Sequence, residues 1–145
     1  MTVSQLFDRV DAGIAMKPTI GVVGLSSWDT LLAVQNMPEP GGFAMVSSAL
    51  ELPGGTSANA AAAAVSLGAR VDLISAVGDD ANGRRLLETL TRVGIDCSRV
   101  KIDPDRPTDQ TTVITSEHPP DRTIFWREGA IPRRGDRIDI DRLFT

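Results

Sequence analysis

The stretch Pro53-Gly54-Gly55-Thr56-Ser57-Ala58-Asn59-Ala60-Ala61 marks the point where an extended segment turns into a helix. Its proline and two glycines interrupt regular structure, because proline lacks a backbone donor and glycine is conformationally free. Ser57 is a favourable N-cap residue, and the alanines behind it predict a helix over residues 58–67 that ends at Gly68. The small side chains predict that this helix lies close to a sheet.

Apolar runs on both sides of this helix predict buried strands. Residues 20–25 form a short run rich in β-branched side chains, and residues 71–77 form another. A second helix is predicted over residues 81–93, which carry an apolar stripe, with Asp79 and Asp80 placed to cap it and Gly94 to end it. Alternating strands and helices predict an α/β fold with a doubly wound, Rossmann-like parallel sheet covered by helices.

Four further segments have the composition of extended chain. Residues 31–34 and 43–52 flank a linker rich in proline and glycine. Residues 111–115 and 122–127 flank a His-Pro-Pro turn and predict a hairpin. The polar residues 103–110, which include proline, predict a loop.

Both ends of the sequence carry helical spacing of apolar residues. Residues 4–16 predict a short amphipathic helix or an ordered tail ahead of the domain. Residues 140–144 begin a pattern that the chain does not complete, which leads us to expect a fragment of a longer protein.

Composition narrows the class of protein. Lys and Arg total 15 against 19 Asp and Glu, for a net charge of −4, and no basic stripe follows the chain, so nucleic acid is not an expected partner. The single cysteine, Cys97, predicts no internal disulfide, and no apolar span long enough for a membrane is present. We therefore expect a cytoplasmic protein. His118, the only histidine, lies in the predicted turn, and no metal-ligand spacing occurs.

Ligands of parallel α/β sheets bind outside the carboxyl ends of the strands, which draws attention to residues 24–29 and 78–83. Asp29 follows the first predicted strand in a Gly-Leu-Ser-Ser-Trp-Asp loop. A carboxylate there can accept hydrogen bonds from two vicinal hydroxyls of a sugar. The alternative is an ordinary loop or capping aspartate.

The glycine turn offers a second wall for such a site. Gly54 and Gly55 let backbone N–H groups and the positive end of a helix approach a polar ligand. Asn59 lies in the first turn of that helix, where its amide can both donate to and accept from a hydroxyl. The alternative is a tight turn with an asparagine that helps to cap the helix.

Residues 21–24 can be compared with the known glycine motifs of nucleotide-binding proteins. Residues 21–24, Gly-Val-Val-Gly, lack the Gly-x-Gly-x-x-Gly pattern of dinucleotide-binding domains, and no Gly-x-x-x-x-Gly-Lys-Ser/Thr loop is present. An unrelated nucleotide-binding α/β domain therefore stays an alternative, and it would require NAD or a mononucleotide to bind at residues 21–24.

The spacing of these features resembles one family. Residues 53–61, then Gly68, then Gly78-Asp79-Asp80 and Gly83, are similar to the N-terminal signature of ribokinase-like (PfkB) carbohydrate kinases. Asp29 and the extended segments also follow in the order of that family. The resemblance covers roughly residues 19–130.

The resemblance implies a ribokinase-like α/β core with a small β lid built from residues 31–52 and 111–127. Residues 1–18 would be an N-terminal extension, and residues 19–145 the N-terminal part of the kinase domain. Lids pair between subunits in several members of the family, which implies a homodimer through the β lid.

The resemblance also implies roles for individual residues. Asp29 and Asn59 would hold sugar hydroxyls, and Gly54, Gly55 and Thr56 would form the loop beside the sugar. We expect the glycine turn and the start of its helix to lie opposite Asp29, so that Asp29 and Asn59 face each other. ATP and Mg are the cofactors that the resemblance implies for complete members of the family.

Three positions depart from the ribose-specific members. Ser27 stands where asparagine is usual, Ser57 where glycine or alanine is common, and Thr56 where some ribose kinases have lysine. The sequence therefore does not define which sugar is bound.

Two motifs of the family do not occur in these 145 residues. They are Asp-Thr-x-Gly-Ala-Gly-Asp, which supplies the catalytic base and an anion hole, and Asn-x-x-Glu, which is linked to the magnesium-bound nucleotide. We therefore expect no catalytic residue here and a chain that is inactive alone, as the substrate-side half of a sugar kinase. The alternative function is a non-catalytic sugar-binding or dimerisation module.

Overall fold

The structure, a computed structural model, describes residues 19–134 and 136. Nine strands and two helices lie in this part of the chain. In order they are β1 (Thr19–Val23), β2 (Ser27–Val34), β3 (Val46–Gly54), α1 (Thr56–Ser66), β4 (Arg70–Ile74), β5 (Ala76–Gly78), α2 (Ala81–Arg92), β6 (Ile95–Asp96), β7 (Lys101–Asp103), β8 (Gln110–Glu117) and β9 (Pro120–Arg127). The predicted helices at residues 4–16 and 140–144 lie outside the described residues.

A parallel sheet forms the centre of the molecule, with strand order β1-β4-β6. Both helices pack on it, and α1 buries Ala58 and Ala61 while α2 buries Leu86 and Leu90. Alanine side chains let α1 approach β4 closely. The shared core consists of Ala58, Ala61, Val71, Leu73, Val77, Leu86, Leu90 and Ile95. The predicted α/β fold is confirmed.

The four predicted extended segments lie in a second sheet with strand order β3-β2-β8-β9. The central pair, β2 and β8, is parallel, while β3 and β9 run antiparallel to their neighbours. The predicted hairpin is confirmed as β8 and β9. A third pair, β5 with β7, is parallel and lies apart from both sheets in its hydrogen bonding.

Two strand boundaries differ from the sequence prediction. Asp29 lies inside β2 and not in a loop, because its backbone pairs with Leu52 on one side and Thr111 on the other. The predicted strand 71–77 is two strands that break at Ser75, whose hydroxyl donates to the Gly24 carbonyl at 2.7 Å. Pairing with distant segments decides both cases, and a local apolar pattern does not contain that information.

The capping residues agree with the prediction at three helix ends and differ at one. Gly55, not Ser57, is the N-cap of α1, and the Ser57 hydroxyl donates to the Leu25 carbonyl. Gly68 follows the C-cap of α1 with φ of 91°, and Gly94 follows that of α2 with φ of 95°. Asp80 caps α2 as predicted, and its carboxylate accepts from the Gly83 N–H at 2.8 Å.

Asp80 also connects the helix to the base of the second sheet. Its other hydrogen bonds come from the N–H and the hydroxyl of Thr108, at 2.8 and 2.7 Å. The same hydroxyl accepts from the Gly78 N–H at 3.1 Å. Thr108 is fully buried two residues before β8, so one carboxylate holds the start of α2 against the start of β8.

We expect the variant Asp80→Ala to lower the free energy of unfolding by about 2–3 kcal/mol, because a helix cap and charged hydrogen bonds are lost together. Urea unfolding measures this change. Asp79→Ala is the matched control, since the exposed Asp79 carboxylate pairs with Arg84 in a surface ion pair worth less than about 1 kcal/mol. Equal losses in the two variants would contradict the connecting role.

The loss of unfolding free energy in Asp80→Ala should also depend on pH. Burial opposes ionisation of Asp80, but hydrogen bonds from Gly83, Thr108 and Asn82 outweigh it and lower the pKa of the carboxyl. A pKa that is lower in the folded state gives stabilisation that is present above the unfolded-state pKa and is lost as pH falls through the folded-state pKa. The difference in free energy of unfolding between wild type and Asp80→Ala should therefore become smaller as the pH is lowered.

Candidate functional site

The predicted site residues Asp29 and Gly54 are in direct contact. Asp29 lies on the central strand β2, and β3 brings Gly54 opposite the start of that strand. The Asp29 carboxylate lies over the Gly54 Cα, in the space where a Cβ would be, so any side chain at this position would overlap the carboxylate. A side chain at position 54 would therefore force the Asp29 carboxylate to move.

One oxygen of the Asp29 carboxylate is buried without a partner. The Oδ1 atom has almost no accessible surface and accepts no hydrogen bond from the part of the chain that the structure describes. An unsatisfied buried acceptor costs roughly 1–3 kcal/mol, so native proteins rarely keep one without a use. The Asp29 carboxylate therefore has acceptor capacity that the described residues do not use.

Gly55 fixes the start of α1 against the loop that follows β1. Its φ of 89° is unfavourable for other residues, and a Cβ there would lie 2.6 Å from the Leu25 carbonyl oxygen. Ser57 holds the same contact, because its N–H donates to Leu25 O at 3.0 Å and its hydroxyl donates to the same oxygen. The N-terminus of α1 is thus held beside the base of β2.

Thr56 and Asn59 are exposed on the first turn of α1. The Asn59 backbone N–H donates to the Gly55 carbonyl at 3.1 Å, which places this residue one helical turn after Gly55. The structure thus brings Asp29, Gly54 and Gly55 together, while the roles of Thr56 and Asn59 toward a ligand stay predictions. The predicted loop at residues 78–83 packs instead against Thr108.

A second buried carboxylate lies next to the site, and the sequence prediction missed it. Asp109 is fully buried in the segment 103–110 that was predicted to be a polar loop. Its oxygens both accept from the Trp126 Nε1–H at 3.0 Å, and Oδ2 also accepts from the Gly129 N–H at 3.1 Å. Its backbone carbonyl accepts from the Trp28 N–H at 3.0 Å.

Burial raises the pKa of the Asp109 carboxyl, and the neighbouring carboxylates of Asp29 and Glu128 raise it further. The hydrogen bonds from Trp126 and Gly129 act in the opposite direction. A Pro-Thr-Asp sequence before a strand is too common to have indicated this role. The one sequence feature that could have indicated a buried partner for Asp109 was Trp126, a tryptophan in a hairpin whose other residues are mostly exposed.

Metal ligation and thiol chemistry receive no support at this site. Among residues 19–134 and 136, no group of three or more His, Cys, Asp or Glu side chains could hold a metal ion. Burial raises the pKa of the Cys97 thiol, as expected of a packing residue. No helix in the described part of the chain is long and apolar enough to cross a membrane.

Comparison with solved structures assigns the fold. The chain superimposes with a TM-score of 0.69 on Arabidopsis thaliana ribokinase complexed with ribose and ATP, at 26% identity, over 79% of this chain and 37% of that one. The architecture is therefore that of a ribokinase-like α/β protein, as predicted.

Comparison of sequences assigns the family. The profile of the pfkB family carbohydrate kinases matches residues 18–135. The chain is 33% identical to 2-dehydro-3-deoxygluconokinase of Thermoproteus tenax over 129 residues, which are 86% of this chain and 39% of that protein. It is also 33% identical to ribokinase of Dictyostelium discoideum over 103 residues, 71% of this chain and 32% of that protein.

The chain belongs to the pfkB family of carbohydrate kinases. It spans between about a third and two fifths of the length of these relatives. The alternative of an unrelated nucleotide-binding domain at residues 21–24 is therefore wrong.

The close approach at Gly55 can be separated from the effect of its φ angle by comparing Gly55→Ala with Gly68→Ala. The two glycines have φ of 89° and 91°, but no atom lies within 4 Å of a Cβ on Gly68. Each variant loses roughly 1 kcal/mol from backbone strain, and Gly55→Ala should lose about 2 kcal/mol more from overlap. Equal urea-unfolding free energies would contradict the close approach.

Proposed function

We propose that this chain forms the sugar-binding side of an enzyme that transfers phosphate from ATP to a hydroxyl of a sugar or a related small molecule. The observation that carries the proposal is the buried, unpartnered Oδ1 atom of Asp29 above Gly54. A carboxylate in this position accepts from sugar hydroxyls with stronger hydrogen bonds than a neutral group would. Membership of the pfkB family supplies the reaction class.

The neighbouring elements suit a sugar. The turn at Gly54 and Gly55 lets a small ligand approach the backbone, and Asn59 and Thr56 add exposed polar groups on the first turn of α1. We propose that Asp29 and Asn59 hold hydroxyls and that Gly54, Gly55 and Thr56 line the same side of the ligand. The sheet β3-β2-β8-β9 would then act as the lid.

Residues that handle the nucleotide are proposed to lie outside these 145 residues. The Asp-Thr-x-Gly-Ala-Gly-Asp and Asn-x-x-Glu motifs do not occur in the sequence. The complete kinase would use ATP with Mg, and this chain would bind neither well.

Two of the departures from ribose-specific members take part in structural contacts. Ser57 holds the α1 turn to Leu25, and Ser27 is fully buried opposite Gly54 at the start of β2. These contacts do not indicate which sugar either serine would favour. The family resemblance therefore supports the class of substrate and not its identity.

The variant Asp29→Asn tests the proposal directly. Asparagine keeps the shape but loses the charge and one acceptor, so sugar affinity should fall tenfold or more, the value of a hydrogen bond to a charged group. Calorimetric titration of the purified chain with a panel of neutral sugars measures the affinity. The free energy of unfolding should be unchanged or higher, because an unsatisfied buried carboxylate has been removed.

Asp121→Asn is the control for that experiment. Asp121 is an exposed carboxylate on β9, and its side chain accepts from the Arg122 N–H. Its replacement should leave sugar affinity unchanged. Equal affinities for wild type and Asp29→Asn would contradict the proposed site.

The chain of 145 residues should not catalyse phosphoryl transfer alone. Positioning of the nucleotide and stabilisation of the transferred group supply most of the rate in this reaction class, and the motifs that provide them are absent from the sequence. Incubation with ATP, Mg²⁺ and the sugar panel should give no ADP above the level without sugar. Sugar-dependent ADP formation would overturn this assignment of roles.

A specific observation supports the second candidate, a sugar-binding or dimerisation module. An apolar row crosses all four strands of the second sheet on the Asp29 face, formed by Leu50, Leu31, Val113 and Ile124. Leu50 and Ile124 are 60% and 53% exposed. A homodimer through this lid would cover the row, and the molecular mass in solution distinguishes this arrangement from a monomer.

A further inference from the structure

Trp126 lies on the same face of the lid sheet as Asp29. The register of the strands places Leu52, Asp29, Thr111 and Trp126 side by side in one row. Trp126 is two strands from Asp29, which corresponds to about 10 Å between their backbones. Thr111 lies between them, so a sugar ring placed over Thr111 would have Asp29 on one side and Trp126 on the other.

The indole of Trp126 is held by its N–H, while more than half of the residue is exposed. Its N–H is bound to both oxygens of the buried Asp109, yet 58% of the residue is exposed. An exposed tryptophan normally directs its N–H to water. Here the polar edge is satisfied inside the protein, so the exposed surface of the ring is apolar and its orientation is set.

The charges around this row are negative. Burial raises the pKa of the Asp109 carboxyl, and the Asp29 carboxylate is close enough to raise it further. Arg127, on the opposite face, donates to the Gln110 side chain, and Arg122 shares the face with Asp29 but lies four residues beyond Trp126, about 13 Å along β9. Arg106 is paired with Glu128 at 3.5 Å. An anionic ligand beside Asp29 would be repelled by these carboxylates, because the row of Leu52, Asp29, Thr111 and Trp126 contains no Lys or Arg.

We propose that Trp126, held by Asp109, is a specificity-determining residue against which the substrate ring stacks, and that the site selects a neutral cyclic sugar over a sugar acid. This inference rests on the proposed sugar site at Asp29. Asp109 is a positioning residue, because its contact with the ligand passes through the indole. Aromatic faces paired with a few fixed polar groups are the usual composition of small-molecule sites.

The two tryptophans of the chain, Trp28 and Trp126, allow a direct experiment. Nitrogen-15 NMR of the purified chain shows one indole N–H signal for each, and Trp126→Phe assigns them. The tightest-binding aldose from a panel of pentoses and hexoses is titrated, followed by its alditol and its aldonate. The alditol is neutral without a ring, and the aldonate adds a negative charge, so stacking and charge are measured separately.

We expect the aldose to shift the Trp126 signal and to bind more tightly than the alditol. The alditol should in turn bind about tenfold more tightly than the aldonate. Trp126→Leu should weaken aldose binding about tenfold and leave alditol binding unchanged, whereas Trp126→Phe should retain most of the affinity. Asp109→Asn should reduce the preference for the aldose and move the Trp126 signal in the free protein. Thermal unfolding checks that each variant is folded.

The outcomes separate this inference from the proposed function. Wild-type affinity of a folded Trp126→Leu, together with weak binding by Asp29→Asn, would overturn the stacking role alone. Aldonate binding as tight as aldose binding would overturn the selection for neutral sugars. Should Trp126→Leu not fold, an unshifted Trp126 signal in sugar-saturated wild type would overturn the inference. Absence of binding by every sugar would overturn both the site and the inference.

Discussion

The contact between the Asp29 carboxylate and the Cα of Gly54 is the constraint on which the site depends. Glycine at position 54 leaves room for the carboxylate, β3 pairs there with the start of β2, and Gly55 begins α1 with a positive φ. The backbone of Asp29 is paired on both sides, with Leu52 and with Thr111. An acceptor that is rigid and buried before the ligand arrives loses little entropy on binding.

This rigidity has an energetic cost at the same position. The unpartnered Oδ1 atom of Asp29 and the nearby carboxylate of Asp109 both oppose folding, through desolvation and mutual repulsion. The apolar core under α1 and α2 offsets that cost. Binding sites typically contain polar groups that lower the free energy of unfolding, on a fold that is otherwise well packed.

Sequence reasoning reached the fold class because local signals encode the helices and strands. The grouping of Asp29 with the glycine turn came from the rule on strand ends and from the family resemblance. Glycines 68 and 94 end their helices, Asp80 caps α2, and residue spacing identified the family. It failed where distant pairing decides the structure. Asp29 lies within β2 because β3 and β8 flank it, and Asp109 is buried because Trp126, seventeen positions away, donates to it. A polar segment carries no local sign of either contact.

At its base the lid sheet is attached to the elements that pack on the parallel sheet. Asp80 binds Thr108, Gly54 leads into α1 and Glu51 pairs with Arg85, whereas the far ends are the β2–β3 connection and the turn at His118. Residues inserted or removed at those far ends would leave the position of Asp29 unaltered. Lineages could therefore lengthen or reshape the outer rim, and with it the molecules that reach the site, without having to rebuild the residues that bind them.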